Sequence, residues 1–309
     1  METLAVVLKE PRTIDLTKVD LALGTTDNRV LVRVDYSGIS AGTERLLWEG
    51  AMPPFPGMGY PLVPGYETVG RVVESTDDAF RPGDAVFVPG AHCYKDVKPI
   101  FGGAAANLFC DPARLHRIDG ADAQMTLLAL ASTAHHAIAV GGVPDLIIGH
   151  GVLGALMARI TVALGHPAPT VHELHTGRMT GRDYPVVTPE SDERRDYRCV
   201  VDASGSRQVI DTAVSRLARS GTITLAGFYG ERLDFAFPVA FMREARIQIA
   251  AEWKANDLVV VRELLGSGAL SLDGLISHVA PVTAAASAYT TAFTDPDCLK
   301  MVLNWGSVH

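Results

Sequence analysis

Asp145-Leu146-Ile147-Ile148 is a short apolar run that passes directly into Gly149-His150-Gly151-Val152-Leu153-Gly154, and a long apolar segment follows. Strand, G-x-G-x-x-G turn and helix in that order make a cradle for a dinucleotide pyrophosphate. Gly149 permits the tight turn, Gly151 lets phosphates approach the backbone, and Gly154 lets helix and strand pack closely. Val152 and Leu153 open the helix, where free N–H groups and the dipole favour an anion. Glu173 ends the next expected strand, 22 residues beyond Gly151. A carboxylate there can accept from both ribose hydroxyls and repels a 2′-phosphate, which points to NAD. Arg178 and Arg182 follow it and offer the opposite chemistry, a seat for that phosphate. Without a ligand, the same glycines would serve only as a tight turn. Val200-Val201-Asp202-Ala203 and Leu225-Ala226-Gly227 are apolar runs ending in small residues. Ala203 and Gly227 therefore stand either at the carboxyl edge along which a dinucleotide lies or in plain sheet-to-helix connections.

These residues need a scaffold, and 309 residues with 48% hydrophobic side chains suffice for two domains. The first hundred or so residues read as strands: Arg29 to Val34 alternates polar and apolar side chains, and Ser37-Gly38, Pro64-Gly65, Arg81-Pro82-Gly83-Asp84 and Pro89-Gly90 supply turns. From about Gln124 the texture changes to alternating helices and strands, the pattern of βαβ units and a parallel sheet. The connection from Glu173 to Tyr184 has little room for a full helix. The tail from about Leu270 resumes mixed character. The expected architecture is α/β, with a β-rich domain of residues 1–122 and 270–309 and a Rossmann dinucleotide-binding domain of residues 123–269.

The formal net charge of −8 argues against nucleic acid as a partner, because phosphates call for a basic face. The amino-terminal segment does not resemble a signal peptide, and no run approaches the roughly 18 apolar residues of a membrane span. A cytoplasmic protein is expected. The positive mean hydropathy leaves room for peripheral membrane contact, and a homodimer is compatible with this composition. The four cysteines, Cys93, Cys110, Cys199 and Cys298, are scattered, which excludes both a disulfide framework and a four-cysteine zinc lobe.

Three segments resemble the medium-chain dehydrogenase/reductase superfamily, and together they span most of the chain. Gly65-Tyr66-Glu67 stands where that family has G-H-E, Ser132-Thr133-Ala134-His135-His136-Ala137 is similar to its joining helix, and Leu272-Asp273-Gly274-Leu275-Ile276-Ser277-His278 to its late D-x-L-I-T/S-H segment. The resemblance implies a GroES-like catalytic domain beside the Rossmann domain, and it places Thr133 near a nicotinamide carboxamide. Within the superfamily, S-G-I-S-A-G-T-E, V-P-G-Y-E and F-G-G-A-A resemble a branch acting in bacteriochlorophyll biosynthesis. That branch oxidises the 3-(1-hydroxyethyl) group of a bacteriochlorin, a tetrapyrrole, to 3-acetyl with NAD. The apolar, Pro- and Gly-rich stretch from Leu46 to Tyr60 would suit a flat macrocycle, or would be a loop packed on its own domain.

Zinc members of the superfamily hold the metal with three protein ligands. The corresponding positions here are Ser40, Tyr66 and approximately Ala129, none of them a credible zinc ligand. Without a metal to acidify the alcohol, a side chain must take or relay its proton. Tyr66 inherits the ligand histidine's place, with Ser40 and Thr43 at the first ligand and the usual relay hydroxyl. Glu67 and Glu44 follow and could orient the network. Alternatives remain open: Tyr66 as packing for the space a metal left, Ser40 as a turn residue, and Glu67 as a fold-stabilising carboxylate. His92 and Lys95 read as loop residues within reach of a substrate carboxylate or simply solvated, and His135 and His136 as packing histidines. Rival functions are a zinc-free quinone or enoyl reductase, which Glu173 disfavours because such enzymes usually take NADPH, and a non-catalytic nucleotide-binding relative. Elemental analysis of the purified protein should find far less than one zinc per chain, with activity unaffected by chelators. Stoichiometric zinc and chelator-sensitive activity would overturn the metal-free reading.

Overall fold

The computed structural model describes residues 1–22, 28–179, 183–230 and 232–309. The chain forms two compact units, one of residues 1–128 and 276–309, the other of residues 129–275.

The first unit is built around the strand Val30–Ile39. Val30, Val32 and Val34 are fully buried while Arg33 is exposed, as period-two alternation demands. This strand is paired antiparallel with Thr68–Ser75, with Asn107–Cys110 and with the carboxyl-terminal strand Met301–Asn304. Register carries the functional consequence. Pairing of Ser37 with Thr68 sets Glu67 beside Gly38, whose N–H donates to the Glu67 carbonyl at 2.8 Å. Pairing of Ile39 with Met301 brings Lys300 alongside Ser40. Three segments distant in sequence thus end at one place. A second sheet of four described strands, with Glu2–Glu10 and Thr13–Asp20 as its long ladder, completes the unit.

Gly65, just before Tyr66, adopts φ +101°, and a Cβ there would lie 3.0 Å from the Ala104 nitrogen. Only glycine satisfies both the conformation and the close approach of the Phe101-Gly102-Gly103-Ala104 segment. The tail helix Ala285–Thr294 and the strand after it close the core, where the fully buried Trp305 donates from Nε1 to Ser37 Oγ at 2.9 Å.

The second unit is a six-stranded parallel sheet. In chain order its described strands, from Leu146–Ile148 to Arg246–Ile249, lie 3-2-1-4-5-6 across the sheet. The order reverses between Leu146–Ile148 and Tyr197–Asp202, the switch point at which such sheets bind ligands. Between Glu173 and Tyr184 the described connection is a single 3₁₀ turn, Thr176–Arg178, as its brevity suggests. The segment Ser206 to Gly221 reads as one helix, yet the helix Val209–Arg216 stops early and the strand Leu217–Leu225 begins at once. Leu217 is fully buried and Ser220 takes φ +58°, so sheet packing overrides the helical period there.

The tail is tied to the first unit by a buried ion pair. Lys300, 3% exposed, donates from Nζ to the Ile39 carbonyl at 3.0 Å and to Glu67 Oε2, whose residue is fully buried. Removing one member of a buried pair strands the other charge, at about 3–5 kcal/mol. Lys300→Met should lower unfolding stability by that order, and Lys300→Met combined with Glu67→Gln should recover part of the loss. Denaturant melts in which the double variant is no more stable than the single would show that the pair is not what Lys300 contributes.

Candidate active site

Where the three segments of the first unit converge, hydroxyls and carboxylates gather. Tyr66 Oη donates to Ser40 Oγ at 2.6 Å, and the nearby Thr43 side chain favours the ionised form of the phenol. The half-buried Tyr66 ring is held edge-on by Phe101, with centroids 5.0 Å apart. Ser40 is 5% exposed, and its N–H donates to Glu44 Oε1 at 3.2 Å. The other oxygen of Glu44 accepts from Tyr289 Oη at 2.7 Å. Glu44 lies in the first turn of the helix Thr43–Glu49, whose start is fixed by a bond from its own N–H to the Ser40 carbonyl at 3.1 Å.

Charge follows from this geometry. Burial pushes the Glu44 carboxyl up to about 7, against the lowering effect of the Tyr289 bond and with a further push from Glu67. Burial also raises Glu67 despite Lys300, and Glu67 Oε1 has no hydrogen-bond partner among the described residues. Tyr66 is held above the ordinary phenol range, first by desolvation and then by Glu67. At neutral pH its phenol is therefore neutral: it can pass a proton along but does not wait as a phenolate.

Ser40, Thr43, Tyr66 and Glu67 thus come together as expected of neighbours in one site, while Lys300 and Tyr289 join them from the tail. Nothing local in the tail marks these two as site residues. The one available signal was a lone lysine opening the apolar run Met301 to Leu303.

The second unit presents the glycine turn. Gly149 adopts φ +97°, and a Cβ on it would meet the Ser204 nitrogen at 2.9 Å. A Cβ on Gly154 would collide with the Gly149 carbonyl, whereas one on Gly151 would meet nothing within 4 Å. Gly151 thus offers open space at the start of the helix Val152–Ala163, where it is the N-cap without a side-chain cap bond. Val152 is buried and Leu153 half-buried in the first turn. These features fit a bound pyrophosphate: exposed backbone, no competing side chain, and helix N–H groups that need an acceptor.

Glu173 ends its strand at the expected edge, but its carboxylate is already engaged. Oε1 accepts from the N–H groups of Leu174 at 2.7 Å and His175 at 2.8 Å, and Oε2 from His150 at 3.0 Å. Of the roughly four lone-pair positions of a carboxylate, about one is left, so the expected grip on both ribose hydroxyls narrows to one. Ala203 and Gly227 lie at the carboxyl ends of adjacent strands. Next to them the buried Asp202 accepts from Ser204 N at 3.0 Å, from Ser204 Oγ at 2.6 Å and from Tyr229 Oη, a trio absent from the sequence reading. Thr133 Oγ1 donates to the Ala129 carbonyl at 2.9 Å within its helix, which leaves the oxygen free to accept.

The packing alternatives are realised at other positions. His135 and His136 share Asp257, at 2.6 and 3.0 Å. His92 and Lys95 are exposed. Trp48, Met52, Met58 and Tyr60 pack against the core of their own unit, while Phe55 stands 41% exposed. Arg178 uses its carbonyl to receive His150 Nδ1 at 2.7 Å, and Arg182 lies outside the described residues. No group of three or more His, Cys, Asp or Glu side chains arranged for a metal occurs among the described residues. No described helix is long and apolar enough to cross a membrane.

A β-rich unit with clustered hydroxyls and carboxylates, joined to a unit with 3-2-1-4-5-6 strand order, defines a dehydrogenase of the alcohol dehydrogenase type. Residues 26–120 match the alcohol dehydrogenase GroES-like domain. The fold is similar to that of L-idonate 5-dehydrogenase from Escherichia coli, with TM-score 0.85 and 18% identity over 99% of each chain. The chain is also 52% identical, over 99% of both chains, to the 2-desacetyl-2-hydroxyethyl bacteriochlorophyllide A dehydrogenase of Cereibacter sphaeroides. It is 51% identical, again over 99% of both, to the protein of that name from Rhodobacter capsulatus. The chain belongs to the medium-chain dehydrogenase/reductase family, in the group formed by these bacteriochlorophyllide dehydrogenases.

Proposed function

We propose that the protein oxidises the hydroxyethyl group of a bacteriochlorophyllide to an acetyl group with NAD, without zinc. The observation that carries this reading is the 52% identity, end to end, with a dehydrogenase named for that substrate. The metal-free part is supported by Ser40, Tyr66 and approximately Ala129, which the family resemblance matches to the ligand positions of zinc relatives. A nicotinamide dinucleotide, when bound, supplies the hydride acceptor. The Gly149 to Gly154 turn and the first N–H groups of the helix Val152–Ala163 would hold its phosphates, and the remaining acceptor position of Glu173 would take one ribose hydroxyl. Because the Tyr66 hydroxyl hydrogen is directed at Ser40, the phenol oxygen presents lone pairs to the substrate alcohol. The alcohol proton moves onto Tyr66 as the phenol proton moves to Ser40 and the Ser40 hydroxyl gives its own proton to water, so no phenolate is required. Incubating purified protein with NAD and hydroxyethyl bacteriochlorophyllide should produce the acetyl pigment, seen in the shifted absorption of a macrocycle conjugated to a new carbonyl. No conversion under these conditions would end the proposal.

Cofactor choice is tested by titration. NAD should bind much more tightly than NADP, and Glu173→Ala should weaken NAD and narrow the difference. Equal or tighter NADP binding by the unmodified protein would reverse the assignment.

Tyr66→Phe removes one oxygen and keeps the ring against Phe101. NAD affinity should hold, while the single-turnover rate falls by roughly 10²–10⁴-fold, the usual contribution of a positioned proton-transfer group. If Tyr66 only fills space, Phe is harmless and Tyr66→Ala alone costs, by about 3–5 kcal/mol of stability.

A further inference from the structure

The buried cluster of the first unit holds two carboxylates and one ammonium. Lys300 Nζ is committed to Glu67 and to the Ile39 carbonyl, so Glu44 has no cation bonded to it. The groups facing Glu44 are Ser40 at the end of one strand, Tyr66 and Glu67 on the segment before Thr68–Ser75, Lys300 before Met301–Asn304, and Tyr289 of the tail helix. Glu44 is 1% exposed, and both its oxygens are bonded. One partner, the Ser40 N–H, can only donate. The other, the Tyr289 hydroxyl, can donate to a carboxylate or accept from a carboxylic acid. The Tyr289 hydroxyl can therefore bond to either protonation state of Glu44, whereas a lysine ammonium can only donate. Ser40 links this pocket to Tyr66, because its hydroxyl receives the Tyr66 hydrogen bond and its main-chain N–H is held by Glu44.

Resting on the functional reading above, we propose that Glu44 is a positioning residue for the alcohol oxidation. Its carboxylate, acting through Ser40, holds the Tyr66–Ser40 pair in the arrangement that receives the alcohol proton. The overall balance is simple. The carbinol C–H hydride, with its electron pair, goes to NAD; the hydroxyl proton leaves through Tyr66 and Ser40 and is released to water; the C–O single bond becomes C=O. Protonating Glu44 weakens its hold on the Ser40 N–H and removes the negative charge that favours a proton arriving at Ser40.

The sign of the pH dependence follows. The carboxylate is the active form, so the rate should fall as pH drops through the Glu44 ionisation, which burial places at about 7. In the unmodified protein, log kcat at saturating NAD and hydroxyethyl bacteriochlorophyllide should rise with pH and level off above that point. Glu44→Gln should lose the break and run about 10-fold or more below the plateau. Tyr289→Phe removes a donor that stabilises the carboxylate and should move the break to higher pH. NAD affinity by equilibrium titration should be unchanged in both. Infrared difference spectra across the same pH range should show a protonated-carboxyl band that titrates in the unmodified protein and vanishes in Glu44→Gln, which reports on Glu44 without turnover. A break that survives in Glu44→Gln, a downward move in Tyr289→Phe, or the absence of that band overturns the proposal. A titrating band in a protein that converts no pigment at any pH overturns the functional reading, and with it this role for Glu44.

Discussion

Keeping two carboxylates and one ammonium out of water is the constraint around which the first unit is organised. A buried charge is tolerated only when bonded, and removing one member of a buried pair costs more than most single contacts contribute. Glu67 takes Lys300, and the lysine's remaining reach is spent on the Ile39 carbonyl. Glu44 is left with a backbone donor and a tyrosine. That division holds the carboxyl-terminal tail against the strand Val30–Ile39, because Lys300 and Tyr289 supply partners to the two buried acids. The hydroxyl pair of Ser40 and Tyr66 inherits its placement from the acids beneath it.

Metal and metal-free solutions to alcohol oxidation differ in where the charge is kept. Zinc carries its own charge to the substrate oxygen and needs ligands to hold it. In the proposed metal-free reading, the positions corresponding to ligands hold a hydroxyl and a phenol, and the carboxyls of Glu44 and Glu67 lie beneath them. For the relay proposed for Tyr66, a phenol raised above its ordinary range by burial is suited, because it need never part with its proton before another arrives.

In the second unit the recognition proposed for the dinucleotide falls to the backbone. The open face at Gly151 and the helix start need no side chain to meet a phosphate. Glu173 illustrates how a motif residue can have two employments. It pins His150, Leu174 and His175 to shape the edge of the site, and has about one acceptor position left for a ligand.

Features whose information is local follow from the order of residues alone. Alternation in Val30 to Ile39, the strand–turn–helix at Gly149, and the short connection after Glu173 all depend on neighbours along the chain, and each element formed where its pattern stands. Even there, the helix after Ser206 ended early, because burial of Leu217 in the sheet outweighed a local period. In the candidate site, Ser40, Thr43, Tyr66 and Glu67 were legible because they lie within or beside recognisable motifs. Lys300 and Tyr289 were not, since nothing near them in sequence needs a lysine or a phenol; they matter only because strand register places them against Glu67 and Glu44, 233 and 245 residues away. Which of several carboxylates keeps a proton, and which is paired, was likewise left to tertiary structure. Desolvation and partner choice are properties of a folded interior, and side-chain identity alone carries neither.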